Sequence, residues 1–185
     1  MSEYSFFSNK QIIVTGGAGG IGKAITFAFL RHNAKVIVFD NSLEGLSMLV
    51  SEWEKWPEER KGRLLPYSID LRSRDSLRNV FERREFPAQT SVLVNNAGID
   101  RQYTAENPSN AAWGDVLDVN LQGTHAITEL VLRDIMKRNV GSITFITSIH
   151  TLQAFPGGGA YDTSKCALEG YMRWIALEYA KHNIR

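Results

Sequence analysis

The 185-residue sequence predicts an α/β fold: a doubly wound parallel sheet with helices on both faces. Three observations carry this. Short, nearly all-apolar runs alternate with longer segments of helical period, which is the pattern of strands buried on both sides. A glycine cluster, Gly16 to Gly22, separates the first such run from the first helical segment. No repeat or low-complexity stretch interrupts the alternation, so the length fits a single domain spanning residues 1–185.

The elements follow in order. Ile12 to Thr15 is a β-branched run, and Ile21, Ile25, Ala28 and Phe29 then repeat at helical spacing up to His32. Val36 to Phe39 is a second strand and Leu43 to Trp53 a second helix. Leu64 to Ile69 is a third strand, followed by a helix from Ser73 to Arg84 that Asp75 and Ser76 favour at its start. Val92 to Val94 is a fourth strand, closed by Asn95, Asn96 and Gly98. One long helix is expected from Trp113 to about Arg138, with Val116, Val119, His125-Ala126 and Leu130 along its inner side. Ser142 to Thr147 is a fifth strand, and a last helix runs from about Ala160 to His182. Right-handed crossovers place any ligand at the carboxyl ends of the strands. This much fits a flavodoxin-like receiver as well as a dehydrogenase.

Composition narrows the classes. With 21 Lys and Arg against 20 Asp and Glu, the net charge of +1 gives no reason to expect nucleic acid or an anionic membrane as partner. The mixed charge run from Glu52 to Arg63 reads as a solvated helix end and loop. Met1 to Lys10 has no apolar core of signal-peptide length, and no apolar run reaches the roughly 18 residues of a membrane span. The single cysteine, Cys166, excludes an internal disulfide and reads as a small buried group. A cytoplasmic location follows by default. His32, His125 and His182 show no ligand spacing, so no metal site is expected.

Chemistry enters at the glycine turn. Glycines between strand and helix allow positive φ and close approach to a pyrophosphate, which the following helix N-terminus then faces. A tight turn without a ligand is the plainer reading. A nucleotide-triphosphate loop is disfavoured, because Ala24 stands after Lys23 where a magnesium-binding hydroxyl is needed. Asp40 ends the second strand 18 residues after Gly22. It can accept two hydrogen bonds from an adenosine ribose and would repel a 2′-phosphate, so NAD is favoured over NADP. Alternatively, Asp40 caps the helix that begins near Leu43.

Tyr161 and Lys165, at i and i+4, share a helix face and point into one cleft. A free tyrosine titrates near 10, so acid/base work near neutrality needs a shift of about 3 units. A positive charge at about 5 Å supplies about 3 kcal/mol at an effective dielectric near 20. The bland alternative is an aromatic packed over a lysine stem. Ser148 follows the fifth strand at the same sheet edge, either to hold a carbonyl oxygen or simply to terminate the strand. It lacks the flanking glycines of a nucleophile elbow. His150 and Gln153 stand close enough in sequence to reach a substrate, or serve as ordinary loop polar residues.

Taken together, Thr15-Gly16-x-x-x-Gly20-x-Gly22, Asn95-Asn96-Ala97-Gly98, Asn120, Ser148 and Tyr161-x-x-x-Lys165 resemble the short-chain dehydrogenase/reductase family, whose fold is Rossmann-type. The Asn95–Gly98 and Asp118–Leu121 runs resemble its shorter-chain branch, although Gly19 also fits the longer-chain spacing. The resemblance implies reversible hydride transfer between a nicotinamide cofactor and a carbonyl or secondary alcohol. It implies Tyr161 as proton donor or acceptor, Lys165 on the nicotinamide ribose, Ser148 orienting the carbonyl, and Asn120 holding a water in a relay to Lys165. It also implies Asp70, followed by Leu71, near the adenine. Asn96, Ala97 and Gly98 would line the adenosine side, and Ile21 would meet the dinucleotide through its backbone. A homodimer or homotetramer is implied as well, although Trp174 and Leu177 on the last helix read first as core.

The family continues beyond this helix with a sixth strand, a substrate-covering segment and a seventh strand. The sequence, ending at Arg185, therefore reads as a C-terminally truncated fragment or a naturally shortened protein. An uncovered sheet edge beside the fifth strand is expected. A non-catalytic dinucleotide-binding or association module is the alternative function.

Overall fold

A computed structural model describes residues 6–57, 63–83 and 90–185. Five strands, β1 (Gln11–Thr15), β2 (Lys35–Asp40), β3 (Leu64–Ser68), β4 (Thr90–Asn95) and β5 (Ser142–Phe145), form one parallel sheet in the order β3-β2-β1-β4-β5. The chain reverses direction of growth at β1, and the crevice opens there, at the carboxyl ends of β1 and β4. Ile12, Ile13 and Val14 pair with Val36, Ile37 and Val38 in β2.

Alternation along each strand builds two cores. Ile12, Val14, Val36 and Val38 face helices α1 (Gly20–Arg31) and α2 (Leu43–Trp53), where Phe27, Leu30, Leu49 and Trp53 complete the packing. Ile13, Ile37, Phe39 and Leu93 face the opposite layer, with Leu77 of α3 (Arg74–Glu82) and Ile127, Val131 and Ile135 of α5 (Thr124–Met136). Ile175 of α6 (Gly159–Tyr179) joins the same layer.

Helix starts follow hydroxyl caps. Ser42 and Ser73 accept from Gly45 and Ser76 main-chain N–H at the heads of α2 and α3, and Ser109 accepts from Ala112 at the head of α4 (Asn110–Leu117). The cap of α2 is thus Ser42, not Asp40. Part of the charged run, residues 58–62, and the expected helix end at Arg84 lie outside the described residues.

Three expectations are corrected. The long helix begins earlier, at Asn110, and is not uniform: a π-helical turn, Asp118–Gly123, stands between α4 and α5. The wider turn resets the helix phase, so the buried stripe runs Val116, Asn120, Thr124, Ile127, Val131 and Ile135, while His125 is exposed. On α6, Cys166, Trp174 and Leu177 are exposed rather than core, with Leu177 83% accessible. Finally, the outer edge of β5 is partly paired. Gly141 and Ile184 form a parallel bridge, Ile143 N–H donates to Arg185 O at 2.7 Å and Arg185 N–H to Gly141 O at 3.1 Å. Among the described residues, no helix is long and apolar enough to cross a membrane.

Candidate active site

A cleft of about 720 Å³ lies along the carboxyl ends of the strands, and residues from β1 through α6 wall it. Its floor is a seam between β1 and β4. Asn96 donates from Nδ2 to the carbonyls of Thr15 and Gly16, both at 3.0 Å, while the buried Thr15 Oγ1 accepts from Asn96 and Ala97 N–H, both at 3.0 Å. Four bonds therefore fix the glycine turn against the Asn95-Asn96-Ala97-Gly98 segment.

The turn needs glycine at two places for packing reasons. Gly16 has φ +61, and a Cβ there would stand 2.8 Å from Ala97 Cα. A Cβ on Gly22 would collide with the Gly16 carbonyl and crowd Asn96 Nδ2. Gly16, Gly20 and Ile21 wall the cleft, whereas Gly22 lies behind them as a spacer. A second contrast concerns the helix start. Helices α2, α3 and α4 are capped by serine, but the cap of α1 is Gly19, which offers no side-chain acceptor, and a Cβ on Gly19 or Gly20 would meet nothing within 4 Å. Amides without an internal partner thus face open space at the cleft, as a phosphate requires.

Toward β2 and β3 stand two carboxylates. Asp40 Oδ2 accepts from Ala18 N–H and Oδ1 from Ser42 N–H, both at 3.0 Å, so main-chain donors orient the group where it lines the cleft. Each oxygen keeps a lone pair for a further donor. Asp70 also lines the cleft beside Leu71, but Arg72 grips both of its oxygens, with Nη2 to Oδ2 at 2.7 Å. The Arg72 hydrogen bonds hold the Asp70 carboxyl below the usual carboxylate range, against a smaller opposing effect of burial.

The other end of the cleft holds Gly98, Tyr161 and Lys165. Lys165 is 4% accessible; its Nζ donates to Ile146 O at 2.8 Å and lies 5.5 Å from the Tyr161 ring centroid. Burial lowers the Lys165 ammonium from its ordinary value. Among the described residues nothing hydrogen-bonds the Tyr161 hydroxyl. The space between cleft and helix is tight: a Cβ on Gly98 would stand 3.3 Å from Lys165 Nζ and 3.4 Å from Asn120 Oδ1.

Asn120 is fully buried behind Gly98, not on the cleft wall. Its Oδ1 accepts from Ile99 N–H at 2.8 Å, and Nδ2 donates to Ile99 O and Ser164 Oγ at 2.9 and 3.0 Å. Both amide hydrogens are committed within the protein, and the π-helical turn around Asn120 shifts main-chain carbonyls from i+4 to i+5 amides. Ser148 follows the cleft-lining Ile146 and Thr147, and its Oγ accepts from His150 N–H at 3.2 Å at the start of a short 3₁₀ turn, Ile149–Thr151.

Several contributors lay beyond sequence reasoning. Ala18, Ser42 and the Ile146 carbonyl orient Asp40 and Lys165 through the main chain, which no residue type announces. Ser164 carried a signal, since it lies between the paired Tyr161 and Lys165. Among the described residues no cluster of three or more His, Cys, Asp or Glu suits a metal.

Comparison with known proteins agrees with this geometry. The family model described as short chain dehydrogenase matches residues 10–185. The 3-oxoacyl-[acyl-carrier-protein] reductase FabG of Thermotoga maritima is 36% identical over 177 residues, covering 95% of this chain and 70% of that protein. Oxidoreductase UcpA of Salmonella typhimurium is 32% identical over 183 residues, covering 96% of this chain and 66% of that protein. Among solved structures, that of gox2181 superposes with a TM-score of 0.88 at 27% identity, over 98% of this chain and 70% of that one.

Proposed function

The chain belongs to the short-chain dehydrogenase family of nucleotide-binding oxidoreductases acting on C=O and CH–OH groups, and from that premise we propose that it interconverts a small carbonyl compound and its secondary alcohol with NAD(H), using Tyr161 as acid/base. One observation carries the reading. The uncapped glycine turn, Asp40, and the Tyr161–Lys165 pair all open on the same cleft.

The residues present fit a dinucleotide. Glycine amides at the head of α1 would hold the pyrophosphate, Asp40 the adenosine ribose, and Asp70 with Leu71 the adenine side. Asn96, Ala97 and Gly98 would back the adenosine half. When bound, the nicotinamide supplies the hydride acceptor or donor. The chain's own residues handle the proton. Tyr161 Oη gives a proton to the substrate oxygen during reduction and takes it back during oxidation. Lys165 stabilises the phenolate by its charge and would bind the nicotinamide ribose. Ser148 would hold the substrate oxygen, and Asn120 a water that returns protons to Lys165.

Asp40, with Asn41 rather than an arginine after it, favours NAD over NADP, since a 2′-phosphate would meet a carboxylate with no cation beside it. The exposed apolar side chains Met172, Trp174 and Leu177 on α6 support self-association as a homodimer or homotetramer.

Two measurements test the function. Energy transfer from tryptophan to NADH should saturate and be weaker with NADPH. Replacement of Tyr161 by phenylalanine should then abolish turnover across a panel of ketones while NADH affinity stays nearly constant. Retained turnover in that variant would sink the mechanism. Binding without any turnover in the unaltered chain would favour the non-catalytic module instead.

A further inference from the structure

His150 has no part in the reaction as described, yet it touches two of the residues that do, Ser148 and Tyr161. Its ring meets the Tyr161 ring edge-on, with centroids 5.2 Å apart and planes at 81°. Its main-chain N–H donates to Ser148 Oγ. The imidazole also stacks on the Phe155 ring, at 4.3 Å and 26°.

Behind the imidazole stands Asp162, the residue after Tyr161 in the first turn of α6. Nδ1 of His150 and Oδ1 of Asp162 are 2.5 Å apart. An ionised carboxylate only accepts, so Nδ1 carries the hydrogen and Nε2 is left unprotonated in the neutral ring. Oδ2 of Asp162 accepts from Phe155 N–H at 3.3 Å, and Asp162 N–H donates to Gly158 O at 2.8 Å. Both side chains are mostly buried, at 26% and 14% accessible. Asp162 therefore binds the segment from Ser148 to Gly158 to the head of the helix that carries Tyr161.

We propose that His150 and Asp162 are a positioning pair that fixes the Tyr161 ring and the Ser148 hydroxyl in one frame. The proposal rests on the acid/base role of Tyr161. The geometry gives the reason for a pair rather than a lone packing residue. A tyrosine ring on a helix N-terminus turns about χ1 and χ2, and proton transfer demands its oxygen within hydrogen-bond reach of the substrate. The Lys165 ammonium stands 5.5 Å from the ring centroid; the imidazole, itself held by Asp162 and Phe155, packs against the ring as a second restraint. The main chain of the same residue donates to Ser148, so one residue touches both groups.

The test uses the full chain labelled with 3-fluorotyrosine, its Tyr161 resonance assigned by disappearance in Tyr161→Phe. His150→Ala and Asp162→Ala should each shift or broaden that resonance. Each should lower kcat between about tenfold and a hundredfold, the range a misplaced reacting group produces, with NADH affinity within about twofold. Asp162→Asn keeps an acceptor for Nδ1 but sets its amide nitrogen against Phe155 N–H, so it should recover part of both signals and stay between the alanine variant and the unaltered chain. The double alanine variant should be no slower than the slower single one, because the two residues act as a unit. His150→Phe, which keeps the rings and loses the hydrogen bond, covers the case of an alanine variant that does not fold and should be as slow as the alanine variants. An unmoved Tyr161 resonance in His150→Ala, or single losses in kcat that multiply in the double variant, overturns the proposal. Absence of turnover in the unaltered chain is failure of the proposed function, and the fluorine resonance then decides alone whether the pair holds the ring.

Discussion

Replacing Lys165 by methionine should move stability and turnover in opposite directions. Methionine keeps much of the stem volume and removes the charge. For the proton step, take the 5.5 Å separation of Nζ from the Tyr161 ring as the charge distance. At an effective dielectric near 20 the ammonium stabilises a phenolate there by about 3 kcal/mol, so its loss should slow turnover roughly a hundredfold. For stability without cofactor the sign is the reverse. The ammonium is buried, with one hydrogen bond, to Ile146 O, and burial lowers its folded-state value below the unfolded one. Between those two values the unfolded chain binds the extra proton, so stability of the unaltered protein rises with pH across that window. The advantage of Lys165→Met is thus full below the folded-state value, shrinks through it, and is gone above about 10.4. Thermal unfolding of the apo form across pH reads this difference, and ketone reduction with NADH reads the rate. A variant within about fivefold of full turnover, or one with a lower apo melting temperature at neutral pH, would refute the reasoning.

Three further outcomes are expected. Gly22→Ala should push the head of α1 away from the Gly16 carbonyl, at a cost of about 1–3 kcal/mol, and weaken NADH binding as read by fluorescence titration. Asp40→Ala with Asn41→Arg should shift preference toward NADPH; an unchanged ratio of NADH to NADPH affinity removes Asp40 from the ribose site. Leu177→Glu, which places a charge on the most exposed apolar side chain of α6, should reduce the assembly seen by light scattering without lowering the melting temperature of the monomer.

The strands were legible because burial on both faces leaves an almost unbroken apolar run, as in Ile12-Ile13-Val14, with turn residues on either side. The helix α2 was legible to the residue because Leu43 and Trp53 bound an unbroken apolar period. The break at Asp118–Gly123 was not legible. A π-helical turn inserts a residue without changing composition, and the sequence around Asn120 carries no proline to mark it. Exposure of Cys166 and Trp174 was missed for a related reason: side-chain chemistry suggests burial, while the helix phase that decides it is set by packing of α6 against α4 and the sheet. At the site, the residues were legible and their partners were not. Asp40 and Asp70 were placed at the cleft, but the Ala18 amide and the Arg72 fork that orient them depend on how the turns close in space. The pairing of Ile184 with Gly141 likewise joins positions 43 residues apart, which two terminal residues cannot announce.

The Thr15–Asn96 seam joins two contiguous stretches of chain, β1 to β3 and β4 to β5, whose strands pair with each other only where β1 meets β4. Asp40 and the glycine turn belong to the first stretch; Asn120, Ser148, Tyr161 and Lys165 belong to the second. On the proposed function, the choice of dinucleotide and the movement of the proton fall to separate halves of the chain. A crossover between them, made in the linker after β3, should exchange one property and leave the other intact, provided both parents keep the Thr15–Asn96 seam and the apolar layer that β1 and β2 share with α5.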